Sequence, residues 1–285
     1  MCQGIESPSL CYPDSFKSCF ACCPPIRPTG YEHIQYRSSV QRMLRENTEL
    51  FDRNSEAIAP ITGYSCWALG YLEPSYSLIG CLLHPARNGG RDMRFRVDYG
   101  HKCAREQCLE AQAFEQLSEK AKEFWLALTR GLDSFQYSSR RHNPLFRLLG
   151  WARPLLESIW ARERGRTPKL AELQSRYPFL SVRLAPRACS YLVLLAVEMR
   201  GGGTISKKGL VELIYKVAEE LRQNFSPLAN AIARNSPYTH QLGLDQYLLD
   251  FLRLGLGLKK VELGVAREIE NRARELVDIF GRSAL

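Results

Sequence analysis

Three cysteines fall within SCFACCPP at residues 18–25, and four more follow before residue 110, so that Cys19, Cys22, Cys23, Cys66, Cys81, Cys103 and Cys108 form one candidate constellation. Short-spaced thiols close small loops at low entropic cost. Thiolates converging from separate segments are the donor set of zinc and iron–sulfur sites. Spacing alone suits either metal, but the tight C-x2-C-x2-C run of bacterial ferredoxins is missing, which makes zinc the first reading and iron or an iron–sulfur cluster the alternative. His84 and His101 lie close enough to cysteines to be further donors. Cys2 and Cys11 receive no role. Cys189 stands alone inside YLVLLAV and reads as a small core hydrophobe, and His33, His142 and His240 read as surface or capping groups. A low-pKa catalytic thiol such as Cys23 is the other chemistry a cysteine offers, though clustering is better explained by ligation.

Metal ligation presupposes reduced thiols. The N-terminus lacks the basic start and continuous apolar stretch of a secretory signal, which places the chain in the cytoplasm, where thiols stay reduced. With 45% hydrophobic and 24% charged residues the chain reads as soluble. Its longest apolar run, CSYLVLLAVEM, reaches only about half the length of a membrane span. No membrane partner is expected.

The elements that must position the thiols are short. Apolar, aromatic-rich runs flank EPSY in GYSCWALGYLEPSYSLIGCLLHP, which predicts a β-hairpin. An even loop centred on Glu73 to Tyr76 would place Cys66 and Cys81 on one face, opposite or diagonal to each other. Thr29 and Glu32 have capping-box spacing ahead of a helix through residue 51. Cys103 and Cys108 sit at a predicted helix start, where the dipole favours thiolate. From about 105 the apolar period becomes helical. The spacing predicts helices over 105–130, 152–164, 168–176, 186–199, 207–225 with Ser206 as cap, 227–234, 243–254 and 258–280, with RGGGT at 200–204 the most mobile connection. The fold class expected is mainly α: a Cys-rich irregular N-terminal region with a β-hairpin, 1–110, followed by an all-α helical bundle, 111–285.

Charge divides the chain in the same place. Residues 1–110 carry 12 Lys and Arg against 12 Asp and Glu, so the net +9 belongs to the rest. The segment 140–187 alone has 11 basic and 3 acidic residues. With Trp151, Trp160, Tyr177 and Phe179 interleaved, it has the ingredients of a nucleic-acid surface, arginines for phosphates and rings for stacking. A solvated helix face accounts for the same composition. Arg87, Arg91, Arg94, Arg96, Lys102 and Arg105 could hold an anionic substrate or balance the charge of a thiolate site. No P-loop, G-x-S-x-G or H-E-x-x-H motif is present.

The order CFACC, CWALGYL, GCLLHPAR resembles the YkgJ-type cysteine-cluster family of zinc- or iron-chelating proteins. The resemblance covers about a third of the chain and implies ligand roles for Cys19, Cys22, Cys23, Cys66 and Cys81. It departs from the family where HPAR replaces an Arg-Pro pair, and Cys103 is the nearest candidate for the family's last cysteine. The functional expectation is a metal-binding protein with a thiolate-rich site in its N-terminal half. The alternatives are an iron–sulfur redox enzyme acting on an anionic substrate and a nucleic-acid-binding regulator using 140–187.

Overall fold

A hairpin and one helix form the floor of the N-terminal part of the chain. In the computed structural model, which describes residues 9–23, 30–55, 57–62, 65–100, 103, 108–225, 227 and 236–285, β1 (Leu69–Tyr71) pairs antiparallel with β2 (Ile79–Cys81). Helix α1 (Arg37–Leu50) lies on β1. The approach is close because Gly70 has no side chain: a Cβ there would meet Thr48 Oγ1 at 2.7 Å and Leu82 Cδ1 at 2.8 Å. Thr48 Oγ1 uses that proximity to accept the Tyr71 N–H at 2.8 Å. Val40 and Leu44 of α1, Leu69, Tyr71 and Ile79 of the hairpin, and Phe20, Leu83, Val97 and Phe135 share one apolar cluster.

The chain divides into two compact units, Met1–Arg147 and Leu148–Leu285. The division falls well after the last clustered cysteine because α2 (Leu109–Glu115), α3 (Glu119–Leu126) and α4 (Ser134–Ser138) belong to the first unit. Helix α4, opened by a capping box of Asp133 and Gln136, has serines four apart, hence on one face. Ser134 Oγ accepts the Ser18 N–H at 3.2 Å and donates to Ser77 O at 3.2 Å. Ser138 Oγ accepts the Phe20 N–H at 2.9 Å, and Ser18 Oγ donates to Ile79 O. The cysteine loop is thereby clamped between α4 and the hairpin, with buried backbone donors satisfied by hydroxyls because no strand pairs with them.

In the second unit the predicted periodicities become helices: α6 (Arg153–Arg162), α7 (Leu170–Arg176), α8 (Pro186–Arg200), α9 (Gly209–Phe225), α10 (Gln246–Asp250) and α11 (Leu263–Ala284), with α5 (Pro144–Leu148) at the junction. Leu210, Leu213, Ile214, Val217, Leu221 and Phe225 form the buried stripe of α9. It packs against Ala266, Ile269, Ala273, Leu276 and Val277 of α11. Each large side chain buried this way contributes roughly 1.5–3 kcal/mol. Helix α8 is buried along most of its length, Cys189 with it. At Gly209 the start of α9 meets the end of α11, leaving no room for a Cβ beside Ala284 O. Among the described residues no helix is long and apolar enough to cross a membrane.

The mainly α reading holds, with one two-stranded hairpin among the described residues, but local details differ. The single helix expected over 105–130 is broken after Glu115, where Gln116 and Leu117 turn and Ser118 takes an extended conformation that starts α3 anew. Ser206 does not cap α9. It closes a 3-10 turn, Gly202–Ser206, that buries Thr204 and Ile205 and orders the glycine run, after Gly201 ends α8 with φ +85°. The 243–254 helix is α-helical only over α10 and then widens into a π turn, Phe251–Gly255. Thr29 and residues 228–234 of the helix expected over 227–234 lie outside the described residues.

Candidate metal centre

The first and last thiols of the knuckle are set by a loop and a turn. The Cys19 N–H donates to Cys11 O at 2.8 Å, and the Cys23 N–H donates back to Phe20 O at 3.0 Å. Cys22 is exposed at the turn and Cys23 half-buried, and the two side chains hydrogen-bond to each other. Cys66 lies in the turn feeding β1, where the Leu69 N–H donates to Cys66 O at 3.0 Å. Cys81 ends β2 opposite Leu69. The expected even-loop register is therefore not the one formed: residues 72–78 make an odd loop, and Cys66 is a turn residue rather than a cross-strand partner. The reason is local, since EPSY closes with Tyr76 at φ +53° and the connection extends past it. Cys66 and Cys81 are nevertheless neighbours, Cys81 discouraging ionisation of the Cys66 thiol. The Cys103 N–H donates to Tyr99 O at 2.8 Å.

Backbone donors are aimed at several of the sulfurs. The Ala68 N–H reaches Cys66 Sγ at 3.4 Å, and the N–H groups of Ala21 and Leu83 donate to Cys19 and Cys81 in the same i+2 relation. Cys108 is the N-cap of α2, its Sγ accepting from the Ala111 N–H at 3.4 Å. Hydrogen bonds to sulfur favour the anion and tune any metal that the sulfur holds.

Without a cation, burial and mutual repulsion outweigh those donors. Burial pushes Cys66 up to about 12 and Cys81 up to about 11, and Cys103 adds to both. Cys11 has exposed surface, yet the protein around its sulfur raises it to about 12, with Cys22 and Cys108 contributing. Burial raises Cys19 well above the thiol range, and Cys23 is raised first by its hydrogen bond with Cys22 and then by burial. Burial also raises Cys108, so the helix start does not favour its thiolate as the sequence suggested. An activated nucleophile would need the opposite shift. A bound divalent cation reverses this electrostatic balance.

The other candidates separate. His84 is half-buried, edge-on to Tyr12 at 6.0 Å, and held below the usual imidazole range by burial and by Arg94. That favours its neutral form. His101 lies outside the described residues. His33 is not a surface group: it is buried beside Phe20 and Tyr31, with Ser65 Oγ 3.3 Å from Nε2. Of the arginine run, Arg94 forks onto Asp92 at 2.9 and 2.7 Å and donates to Cys103 O at 2.9 Å. Arg87 donates to Leu72 O. Arg96 is buried over the rings of Phe51 and Trp67, its Nε and Nη1 without hydrogen-bond partners among the described residues. In the basic segment, Trp151, Tyr177 and Phe179 are buried and cannot stack on bases, while Arg176 is bound to Glu163 and Arg187 to Asp250.

Sequence reasoning missed Cys11, Ser134, Ser138 and Tyr137, whose hydroxyl donates to Leu10 O at 2.8 Å beside Cys19 and Cys11. The sequence signal for Ser134, Tyr137 and Ser138 is the capping box around DSFQYSS, and Cys11 has none. Among the described residues, no three Cys, His, Asp or Glu side chains stand in an arrangement that could hold a metal ion as they are. What the backbone supplies is proximity and aimed N–H donors. No family model matches the chain, and neither a curated protein nor a solved structure does.

Proposed function

We propose that the N-terminal unit binds a thiophilic metal through Cys19, Cys22, Cys23, Cys66, Cys81, Cys103 and Cys108, with Zn2+ the first candidate and iron or an iron–sulfur cluster the second. One observation carries the reading. Cys23, Cys66, Cys81 and Cys103, from four separate segments, pack on a single apolar cluster, and thiols so gathered raise one another's proton affinity. A cation relieves that repulsion, and turning a thiol toward a common centre needs only a change among staggered χ1 rotamers. The resemblance to the YkgJ-type family points the same way. A cytoplasmic location fits Cys11, Cys19, Cys23, Cys66, Cys81 and Cys108 being free thiols. Metal would tie the cysteine loop, the hairpin and the start of α2 together, so binding free energy becomes folding free energy.

Elemental analysis of the full chain, purified under reducing conditions, tests this. Stoichiometric zinc in a colourless protein is expected, and visible absorbance bleached by dithionite would select the iron–sulfur alternative. Cys66→Ser and Cys81→Ser should each lose most bound metal, and Cys189→Ser none. Equal metal in all three variants would refute the assignment.

A further inference from the structure

Burial and bonding disagree at Arg96. The residue is only 3% exposed, yet its Nε and Nη1 have no hydrogen-bond partner among the described residues. A guanidinium keeps its charge in a protein, so this is a cation taken out of water without a counter-ion. Its neighbours in the same run are satisfied within the chain, Arg94 by Asp92 and Cys103 O and Arg87 by Leu72 O. The nearby carboxylates do not neutralise Arg96: Asp52 accepts the Asn54 N–H at 2.9 Å, and Asp98 is exposed. What Arg96 does have is two rings, its guanidinium carbon lying 5.4 Å from the centre of Phe51 and 5.6 Å from that of Trp67. Cation–π contacts offset only part of what it costs to desolvate a full charge.

The backbone around Arg96 is well fixed. The Ala59 N–H donates to Arg96 O at 2.9 Å, Ala59 and Val97 form a parallel bridge, and Trp67 Nε1 donates to Ala59 O at 3.0 Å. Phe51, Ile61 and Trp67 are half-buried against the apolar cluster that contains Val97. Next to these residues in the chain, Leu50, Ile58 and Phe95 are large apolar side chains left exposed. An orphaned cation is thus set in a rigid and largely apolar frame.

We propose that Arg96 binds the carboxylate of an apolar monocarboxylic acid, with Phe51 and Trp67 as the apolar wall beside it. A guanidinium fork matches a carboxylate bidentately, and one negative charge balances the one cation. A carboxylate also brings an apolar body, whose burial adds to affinity. Inorganic phosphate suits the frame less, since its higher charge would lose hydration that a single guanidinium does not replace. None of these groups is a thiol, so the site stands apart from the metal-binding reading.

Calorimetric titration of the full chain as purified, at neutral pH with ionic strength held constant by chloride, tests this with four probes: hexanoate, acetate, 1-hexanol and inorganic phosphate. Hexanoate should bind, acetate more weakly, and hexanol and phosphate not measurably. Arg96→Met keeps an apolar side chain against the rings while removing charge and donors, and should weaken hexanoate roughly tenfold to a hundredfold. Arg96→Lys, charged but without the planar fork, should fall between the two. Circular dichroism confirms that each variant is folded. No heat with hexanoate would overturn the proposal, as would equal affinity in Arg96→Met or binding of hexanol as tight as that of hexanoate. Phosphate binding ahead of hexanoate would overturn the carboxylate assignment. If Arg96→Met fails to fold, the order of the four probes on the unmodified chain decides the matter.

Discussion

The two units reach order by different routes. In Leu148–Leu285, contiguous amphipathic stretches become helices and close on one another through apolar stripes, as α9 does on α11. In Met1–Arg147 the elements are short, and the cysteine loop is held by hydrogen bonds between residues 116, 118 and 127 positions apart. Joining such distant segments has a loop-closure cost before any contact is rewarded. The helical unit can rely on burial, whereas the cysteine unit has its polar clamps and, in the reading proposed here, its metal.

Removing metal should separate the units most strongly. A chelator should abolish the cooperative transition of residues 1–147 while circular dichroism still reports the helices of 148–285, because structural thiolate sites contribute on the order of 10 kcal/mol. Loss of both transitions together, or of neither, would contradict the contrast.

Leu221→Ala should do the reverse. Leu221 is fully buried on α9, and its truncation should lower the stability of the helical unit by about 2–5 kcal/mol, with bound metal unchanged by elemental analysis. Next in size, Ser134→Ala removes the acceptor of the Ser18 N–H and should cost the cysteine unit about 1–3 kcal/mol. Calorimetry should register this in the transition of that unit alone, accompanied by weaker Zn2+ binding.

A smaller effect depends on pH. Burial alone would raise Glu163, but hydrogen bonds from Tyr177 at 2.8 Å and from Arg176 at 3.0 and 2.8 Å, together with the Arg176 charge, hold it below the usual carboxylate range. A carboxyl depressed in the folded state adds stability that is present above its unfolded pKa and lost as pH falls through the folded one. Acid melting of the helical unit should therefore flatten below about pH 4.3 in Glu163→Gln, and identical pH profiles for the two proteins would contradict this. The exposed Arg267–Glu270 pair on α11 should change the melting temperature hardly at all when Glu270 becomes Gln, since such pairs contribute about 0–1 kcal/mol.

Much of the helical unit was legible because periodicity is local: α6, α7, α8 and α9 begin and end near where their apolar spacing and flanking Gly or Pro put them, whereas α11 runs over Leu263–Ala284 rather than 258–280. Ser206 misled because a good N-cap residue was instead used inside a 3-10 turn that buries Ile205. The aromatic residues of 140–187 misled for a related reason: composition shows that Trp151, Tyr177 and Phe179 are close to arginines, but not that their rings face the core. The hairpin was found and its register missed, because a loop extended by Tyr76 in the left-handed region shifts the pairing by a residue. Cys11 was passed over since nothing in its spacing links it to Cys108.

From the amino-acid order alone came the inventory of thiols, the mainly α class, the place of the hairpin and most helices of the second unit, since each depends on residues within a turn or two of one another. The tertiary structure alone decided which loop lies against which: that α4 reaches back to clamp the cysteine loop, that Cys11 joins Cys19 and Cys108, and that Cys23 is turned onto the apolar core while Cys22 is exposed. Those contacts join segments up to 127 residues apart, and at such separations it is loop closure, side-chain hydrogen bonding and packing, rather than periodicity, that select the partner.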